Sequence, residues 1–237
     1  MKVSVCVASY NGAKFISEQL ASIIESLEYS GVDEFEVLVS DDGSTDNTLE
    51  VIQSVFRREI KILVGPRQGL IKNFEYLISK ASGAFIFLSD QDDVWRKEKV
   101  KKCLENLYDH DLLVSDAVVV DENLDVLQES LFEVNGSGAG FYKNLFRNSY
   151  VGCCMCFKRD VLVGIGGLPF PRKLPMHDWW IGLLFNKKAK VKFLTDRLVL
   201  YRRHENNVSS TGEQSKAGLF TRLQWRINLL FNTLIRL

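Results

Sequence analysis

The chain has no excess of charge of either sign. Thirty lysines and arginines balance thirty aspartates and glutamates over 237 residues, so no whole-chain field exists to hold a nucleic acid by counterion release. Any anion site must be local. No uncharged apolar run approaches the ~20 residues needed to span a bilayer, and Met1-Lys2-Val3-Ser4-Val5 begins no signal-peptide stretch. A cytoplasmic body is the expectation. Cysteines are few and odd in number: of five, Cys153, Cys154 and Cys156 lie in one apolar run, Tyr150 to Phe157. Strand neighbours point to opposite faces, and the second ligand cluster a zinc scaffold needs is missing. The cysteines therefore read as core thiols in a reducing compartment. Also missing are a G-x-G-x-x-G turn after the first strand and a Walker-type Gly-Lys-Ser/Thr, which excludes dinucleotide and P-loop sites.

What remains is an ordinary globular composition, 46% hydrophobic and 25% charged, arranged as alternating strands and helices. Val3 to Ala8 is a continuous apolar run ending in Ser9-Tyr10-Asn11-Gly12, the pattern of a strand buried on both faces. A helix follows, with Ile16, Leu20, Ile23, Ile24 and Leu27 on one stripe. Phe35 to Val39 repeats the unit, with Ser44 or Thr45 as the expected cap of a helix bearing Val51, Ile52, Val55 and Phe56. Ile60 to Val64, a helix over Leu70 to Ala81, and Ala84 to Leu88 complete the first half. This alternation predicts an α/β fold with a parallel, doubly wound sheet whose ligand crevice lies beyond the carboxyl ends of the strands. Further on, Leu112 to Val114, Ala117 to Val120, Tyr150 to Phe157, Val191 to Leu194 and Leu198 to Arg202 read as strands. His177 to Asn186 reads as a helix and Glu133 to Gly140, with three glycines, as a mobile loop.

Acidic residues follow two strand ends. Asp90, Asp92 and Asp93 are close enough in sequence to repel unless a cation or a proton relieves them; hard carboxylates of this kind suit Mg²⁺ or Mn²⁺ bound together with a diphosphate, and a solvated acidic turn capping a helix that starts near Trp95 is the alternative. Asp41 and Asp42 end the second strand, where a carboxylate can serve a ligand or simply form a turn.

Three blocks, Val5-Cys6-Val7-Ala8-Ser9-Tyr10-Asn11-Gly12, Val39-Ser40-Asp41-Asp42-Gly43-Ser44-Thr45-Asp46 and Ser89-Asp90-Gln91-Asp92-Asp93-Val94-Trp95, together resemble the inverting glycosyltransferases of family 2. The resemblance implies the GT-A nucleotide-diphospho-sugar transferase fold, a mostly parallel central sheet flanked by helices. It implies one domain over 1–215, with 1–120 as the nucleotide-sugar half and 121–215 as the acceptor half. By the same resemblance Ala8 and Tyr10 frame the nucleotide base, Asp41 accepts its imide N–H, and Lys72 stands near base and phosphates where relatives often carry arginine. Asp90 takes the ribose side, and Asp92 the metal, Mn²⁺ or Mg²⁺. Asp178, in Pro175-Met176-His177-Asp178-Trp179-Trp180, matches the catalytic base, with His177 replacing the usual Glu. One of Trp179 and Trp180 is expected in the core. Tyr201-Arg202-Arg203-His204-Glu205-Asn206-Asn207 resembles the Tyr-Arg-x-His-x-x-Asn segment of rhamnosyltransferase-like members. That places His204 at the metal or diphosphate and Arg202 at the diphosphate.

The implied reaction moves a sugar, L-rhamnose from dTDP-L-rhamnose as first choice, to a saccharide or lipid-linked saccharide during cell-surface polysaccharide synthesis. A sugar nucleotidyltransferase is the enzymatic alternative, but Ser9 to Ala13 lacks a basic triphosphate loop; a non-catalytic glycan-binding domain of the same fold is the other. The last segment, 216–237, reads as an amphipathic helix with Leu219, Phe220, Leu223, Ile227, Leu230, Phe231 and Leu234 on one arc and Arg222, Arg226 and Arg236 outside it. Peripheral docking of 219–237 on the inner face of the plasma membrane, packing on the body, and contact with a second subunit all account for that stripe.

Overall fold

The computed structural model describes residues 1–55, 59–205 and 218–236. Its first half is the expected alternation: β1 (Lys2–Ser9), α1 (Ile16–Ser30), β2 (Glu34–Asp41), α2 (Thr48–Ser54), β3 (Ile60–Val64), α3 (Leu70–Lys80) and β4 (Phe85–Ser89). Strands β1, β2, β3 and β4 pair in parallel in the order β3-β2-β1-β4. Seven of the eight β1 residues are buried, which explains their unbroken apolar character. Helix α1 buries Ile16, Leu20, Ile23, Ile24 and Leu27 and stops at Gly31, whose φ of 71° suits a residue without a Cβ. Phe56 lies outside the described residues.

The second half continues the same sheet. It comprises β5 (Val94–Trp95), α4 (Lys99–Leu107), β6 (Leu112–Val120), β7 (Val126–Gln128), α5 (Leu131–Asn135), α6 (Phe141–Phe146), β8 (Met155–Lys158), α7 (Arg159–Gly164), α8 (His177–Lys188), β9 (Val191–Arg202) and α9 (Leu219–Ile235). The strand order runs on as β4-β8-β6-β9-β5, with β7 beside β6. Strand β8 is antiparallel to both neighbours, β6 and β9 are parallel, and β5 is antiparallel to β9. The α/β sheet flanked by helices thus holds, with its parallel pairing concentrated in the first four strands.

Several local expectations change. Two short strands become one in β6, because the polar pair Ser115-Asp116 that interrupts the apolar pattern sits at a register shift inside it. Asp116 is satisfied there by Ala117 N at 2.8 Å, Ser130 Oγ at 2.6 Å and Phe132 N at 2.9 Å. Strand β9 is likewise continuous across Thr195-Asp196-Arg197, with Arg197 bonded to Glu129 at 3.0 Å. The run Tyr150 to Phe157 divides into a 3₁₀ turn, Gly152–Cys154, and β8. The glycine-rich stretch is ordered: α5 reaches Asn135, and Asn144 Nδ2 donates to the carbonyls of Gly138 and Gly140 at 2.8 and 3.0 Å. Neither Ser44 nor Thr45 caps α2, which starts after Asn47. Asp46 instead accepts from Thr48 N at 3.1 Å. All five cysteines are buried and unpaired by disulfide.

Helix α9 docks on α6 and α8 in an unexpected orientation. Its apolar stripe faces solvent except at Leu230, which packs on the core, while Leu229 and Thr233 are buried, Arg226 donates to the Phe146 carbonyl at 2.8 Å, and Arg236 donates to the Gly166 carbonyl at 2.5 Å. The boundary at 215/216 lies outside the described residues. No helix among the described residues is long and apolar enough to cross a membrane.

Candidate active site

Parallel register brings three loops together. Ser9 is paired with Asp41 across β1 and β2, and Val7 with Ser89 across β1 and β4, so the turns after these strands leave the sheet side by side. They are then stitched to one another. Asn11, at φ 49°, turns the chain; its N–H donates to Ser44 Oγ and its Oδ1 accepts from Thr45 N, both at 2.8 Å. Gly12 N donates to Thr48 Oγ1 at 2.8 Å. Gln91 bridges to the first turn, accepting from Tyr10 N and donating to Tyr10 O, each at 2.9 Å. A Cβ on Gly12 would stand 2.1 Å from Gln91 Oε1, so the bridge requires glycine.

These loops floor a cleft of about 990 Å³, lined by Ala8, Tyr10, Asp42, Arg67, Asp90 and Asp92 and by Glu122, Tyr201 and His204. Its acidic end is under electrostatic load. Burial, then the charges of Asp93, Asp92 and Asp178, hold the Asp90 carboxyl well above the usual carboxylate range. Asp93, buried beside Asp92, is raised for the same two reasons. Its Oδ1 accepts from Arg202 N at 3.0 Å, while Oδ2 has no hydrogen-bond partner. His204 Nε2 lies 2.8 Å from Asp92 Oδ2, with its ring against Phe15 at 5.1 Å between centroids. Clustered carboxylates, an orphaned buried oxygen and an imidazole nitrogen fit a hard divalent cation. Buried Lys99, its Nζ on the Cys153 carbonyl at 2.5 Å, moderates Asp90 from behind.

Asp178 stands in the first turn of α8 and is 8% exposed. Its Oδ2 accepts from Gly152 N at 3.1 Å and its Oδ1 from Trp179 N at 2.5 Å. Desolvation nevertheless outweighs these bonds and pushes its carboxyl up to about 7. The His177 imidazole next to it is buried, stacked on Phe74 at 4.0 Å, and depressed to about 3 by burial. It is neutral and lends Asp178 no counter-charge.

The sequence profile of "Glycosyl transferase family 2" matches residues 4–165. The chain belongs to that family. A curated relative, the dTDP-rhamnosyl transferase RfbG of Shigella flexneri, is 30% identical over 220 residues, covering 85% of this chain and 72% of that protein. The poly(ribitol-phosphate) β-N-acetylglucosaminyltransferase TarS of Staphylococcus aureus is 33% identical over 143 residues, 58% of this chain and 22% of TarS. Among solved structures, S. aureus TarS 1-349 in complex with UDP-GlcNAc superposes with a TM-score of 0.68 at 21% identity, covering 100% of this chain and 66% of that one. The mannosyltransferase PcManGT of Pyrobaculum calidifontis, with GDP-Man and Mn²⁺, gives 0.61 at 18% identity, covering 98% and 64%. These neighbours establish the GT-A fold.

In this family 2 chain the structure gathers Ala8, Tyr10, Asp90, Asp92 and His204 on one cleft. Asp178 is buried and does not line this cleft, although its charge acts on Asp90. Asp41, Lys72 and Arg202 stand elsewhere as well. The Asp41 carboxylate folds its own turn, accepting from Gly43 N at 3.1 Å, Ser44 N at 2.9 Å and the Ser44 hydroxyl. Asp42 takes the place on the wall, held by Arg67 N and Gly69 N at 2.7 Å. Lys72 pairs with Glu75 at 2.5 Å and does not line the cleft, whereas Arg67 does. Arg202 is 2% exposed: its Nε donates to the Asp92 carbonyl at 2.7 Å, and its other nitrogens reach the Glu122 carbonyl and Glu18. It braces the acidic turn from within the protein rather than facing the cleft. Trp180 is the core tryptophan, fully buried, and Trp179 is half-buried with its Nε1 on the Asn144 carbonyl at 2.6 Å. Sequence reasoning missed Gln91, Arg67 and Glu122; only Gln91 carried a signal, its place between two motif aspartates. Asn206 and Asn207 lie outside the described residues.

Proposed function

We propose that this chain is a metal-dependent inverting transferase that moves a sugar from a nucleotide diphosphate to a saccharide or lipid-linked saccharide acceptor in surface polysaccharide synthesis. The first choice of donor is dTDP-L-rhamnose, on the likeness to RfbG and the Tyr201-Arg202-Arg203-His204 segment. The observation that carries the catalytic reading is the division of carboxylates. Asp92 is paired with His204 at the cleft wall, and Asp178 is a desolvated carboxyl poised near neutrality on a different element.

Tyr10 and Ala8 frame the base and Asp90 faces the ribose. Asp92 and His204 would hold Mn²⁺ or Mg²⁺, which supplies charge neutralisation at the diphosphate when bound. Asp178 accepts the proton of the acceptor hydroxyl as that oxygen attacks the anomeric carbon. The glycosidic bond to the diphosphate oxygen breaks, its electron pair leaves with the nucleoside diphosphate, and attack from the opposite face inverts the configuration. The fixed turns lower the barrier by orientation, since the loops that place the donor are already bonded to one another.

A thermal-shift panel of UDP-, GDP- and dTDP-sugars with Mn²⁺ tests the donor, because a ligand that binds only the native state raises the melting temperature. The largest shift is expected with dTDP-rhamnose, and chelation should remove most of it. A larger shift with a UDP- or GDP-sugar would displace rhamnose while leaving the transferase reading in place.

A further inference from the structure

The last helix is amphipathic in the reverse sense for a helix packed on a protein body. Leu219, Phe220, Leu223, Ile227, Phe231 and Leu234 recur at helical spacing and are between 43% and 83% exposed. The opposite face carries the contacts: Arg226 on the Phe146 carbonyl, Asn228 on the carbonyls of Arg172 and Lys173, and the Arg236 carbonyl under Lys188. Polar side chains that could have faced water hold the helix down beside Leu229 and Leu230, and the six apolar ones of the ridge are turned outward.

The elements that hold α9 are basic. Between positions 134 and 195 the sequence has ten lysines and arginines against two acids, Asp160 and Asp178, and Asp178 is buried. Lys143, Arg147, Arg172, Lys173, Lys187 and Lys190 are exposed, most of them in the segments that α9 touches. Tyr142 and Phe146 of α6 add exposed aromatic rings, at 71% and 62%. The neutral net charge of the chain therefore hides a positive face around an apolar ridge.

We propose that this face docks peripherally on an anionic lipid bilayer, with the ridge of α9 inserted at the headgroup boundary and the surrounding cations against lipid phosphates. The charge distribution selects this occupant. Anionic lipid matches the rim, each cation near such a surface adding roughly 1 kcal/mol, or about fivefold in affinity. A second copy on the same symmetric patch would bring one set of cations against another. Arg226 and Arg236 are spent on the body, so the attraction comes mainly from α6, from 172–173 and from the end of α8. The inference is independent of the donor sugar and of the transfer chemistry.

Sedimentation of the full chain with phosphatidylcholine vesicles, and with vesicles containing about 30% phosphatidylglycerol, tests it. Binding is expected only with the anionic vesicles, and it should fall steeply as salt is raised. The double variant Phe220→Ser/Phe231→Ser should bind at least about tenfold more weakly, and Arg172→Ala/Lys173→Ala several-fold more weakly, each with an unchanged melting temperature and nucleotide-induced shift. Equal binding to both vesicle types, or full binding by both variants, would overturn the proposal. So would failure to bind either vesicle, and a dimer in solution that Phe231→Ser disperses would then assign the ridge to self-association. Because the wild-type comparison of vesicles decides the matter alone, a variant that folds poorly does not protect the idea.

Discussion

Asp178 shows how a residue's chemistry follows from its surroundings rather than its type. A carboxyl has an ordinary value near ~3.9, and burial moves this one to about 7 despite two backbone N–H donors. As a general base it works deprotonated, so the rate should climb about tenfold per pH unit below 7 and level off above it. Asp178→Asn should lower turnover by roughly 10²–10⁴-fold while leaving the nucleotide-induced thermal shift intact. A parallel loss of donor binding would assign the residue to the donor site instead. The same burial has a stability consequence of opposite sense. Because the folded value is raised above the unfolded one, the favourable contribution is complete below about pH 4. It is lost as pH rises through about 7. Asp178→Asn should therefore melt like the wild type at pH 4 and several degrees higher at pH 8, provided the amide keeps the bonds to Gly152 and Trp179.

At the scale of elements, close approach decides what the sequence tolerates. Gly182 lets α8 lie on Tyr150: a Cβ there would stand 2.3 Å from the ring. Both Tyr150 and the α8 residues around Gly182 are buried, leaving no room to yield. Gly182→Ala should cost about 1–3 kcal/mol by overpacking, read as a lower denaturation midpoint with an unchanged slope. It should also disturb Asp178, which rides on the same helix. The paired turns were legible beforehand as motifs, and their grouping followed from parallel topology. The division of labour inside them was not legible, because Asp41 and Asp42 are the same residue type on consecutive positions. Only backbone geometry turns one into its own turn and the other onto the cleft.

For the whole molecule, the decisive feature is one sheet running through both halves. Strand β8, from the second half of the chain, pairs directly with β4 through Phe85–Lys158, Ile86–Phe157 and Phe87–Cys156. Unfolding should be a single cooperative transition. Of the four tryptophans, Trp179, Trp180 and Trp225 lie in the second half and Trp95 packs on Phe87 with its backbone N–H on Ser22 Oγ at 2.9 Å, so fluorescence is weighted to the second half while far-UV circular dichroism reports both. Coincident midpoints are expected; separated ones would show that the halves are energetically distinct.

Local pattern by itself determined the strands and helices of the first half, the buried thiols, and the acidic turns at strand ends, since periodicity and turn chemistry are properties of neighbours in the chain. The family resemblance added Ala8, Tyr10 and His204 to the cleft but missed Arg67, Gln91 and Glu122. Tertiary structure alone decided that Arg202 braces rather than binds, that β6 and β9 run through polar interruptions, and that the last helix shows its apolar side outward. Each of those outcomes depends on a partner distant in sequence: Glu18 for Arg202, Ser130 for Asp116, and the carbonyls of Phe146 and Arg172 for α9. Burial and hydrogen bonding are settled between such partners, and a linear pattern does not record them.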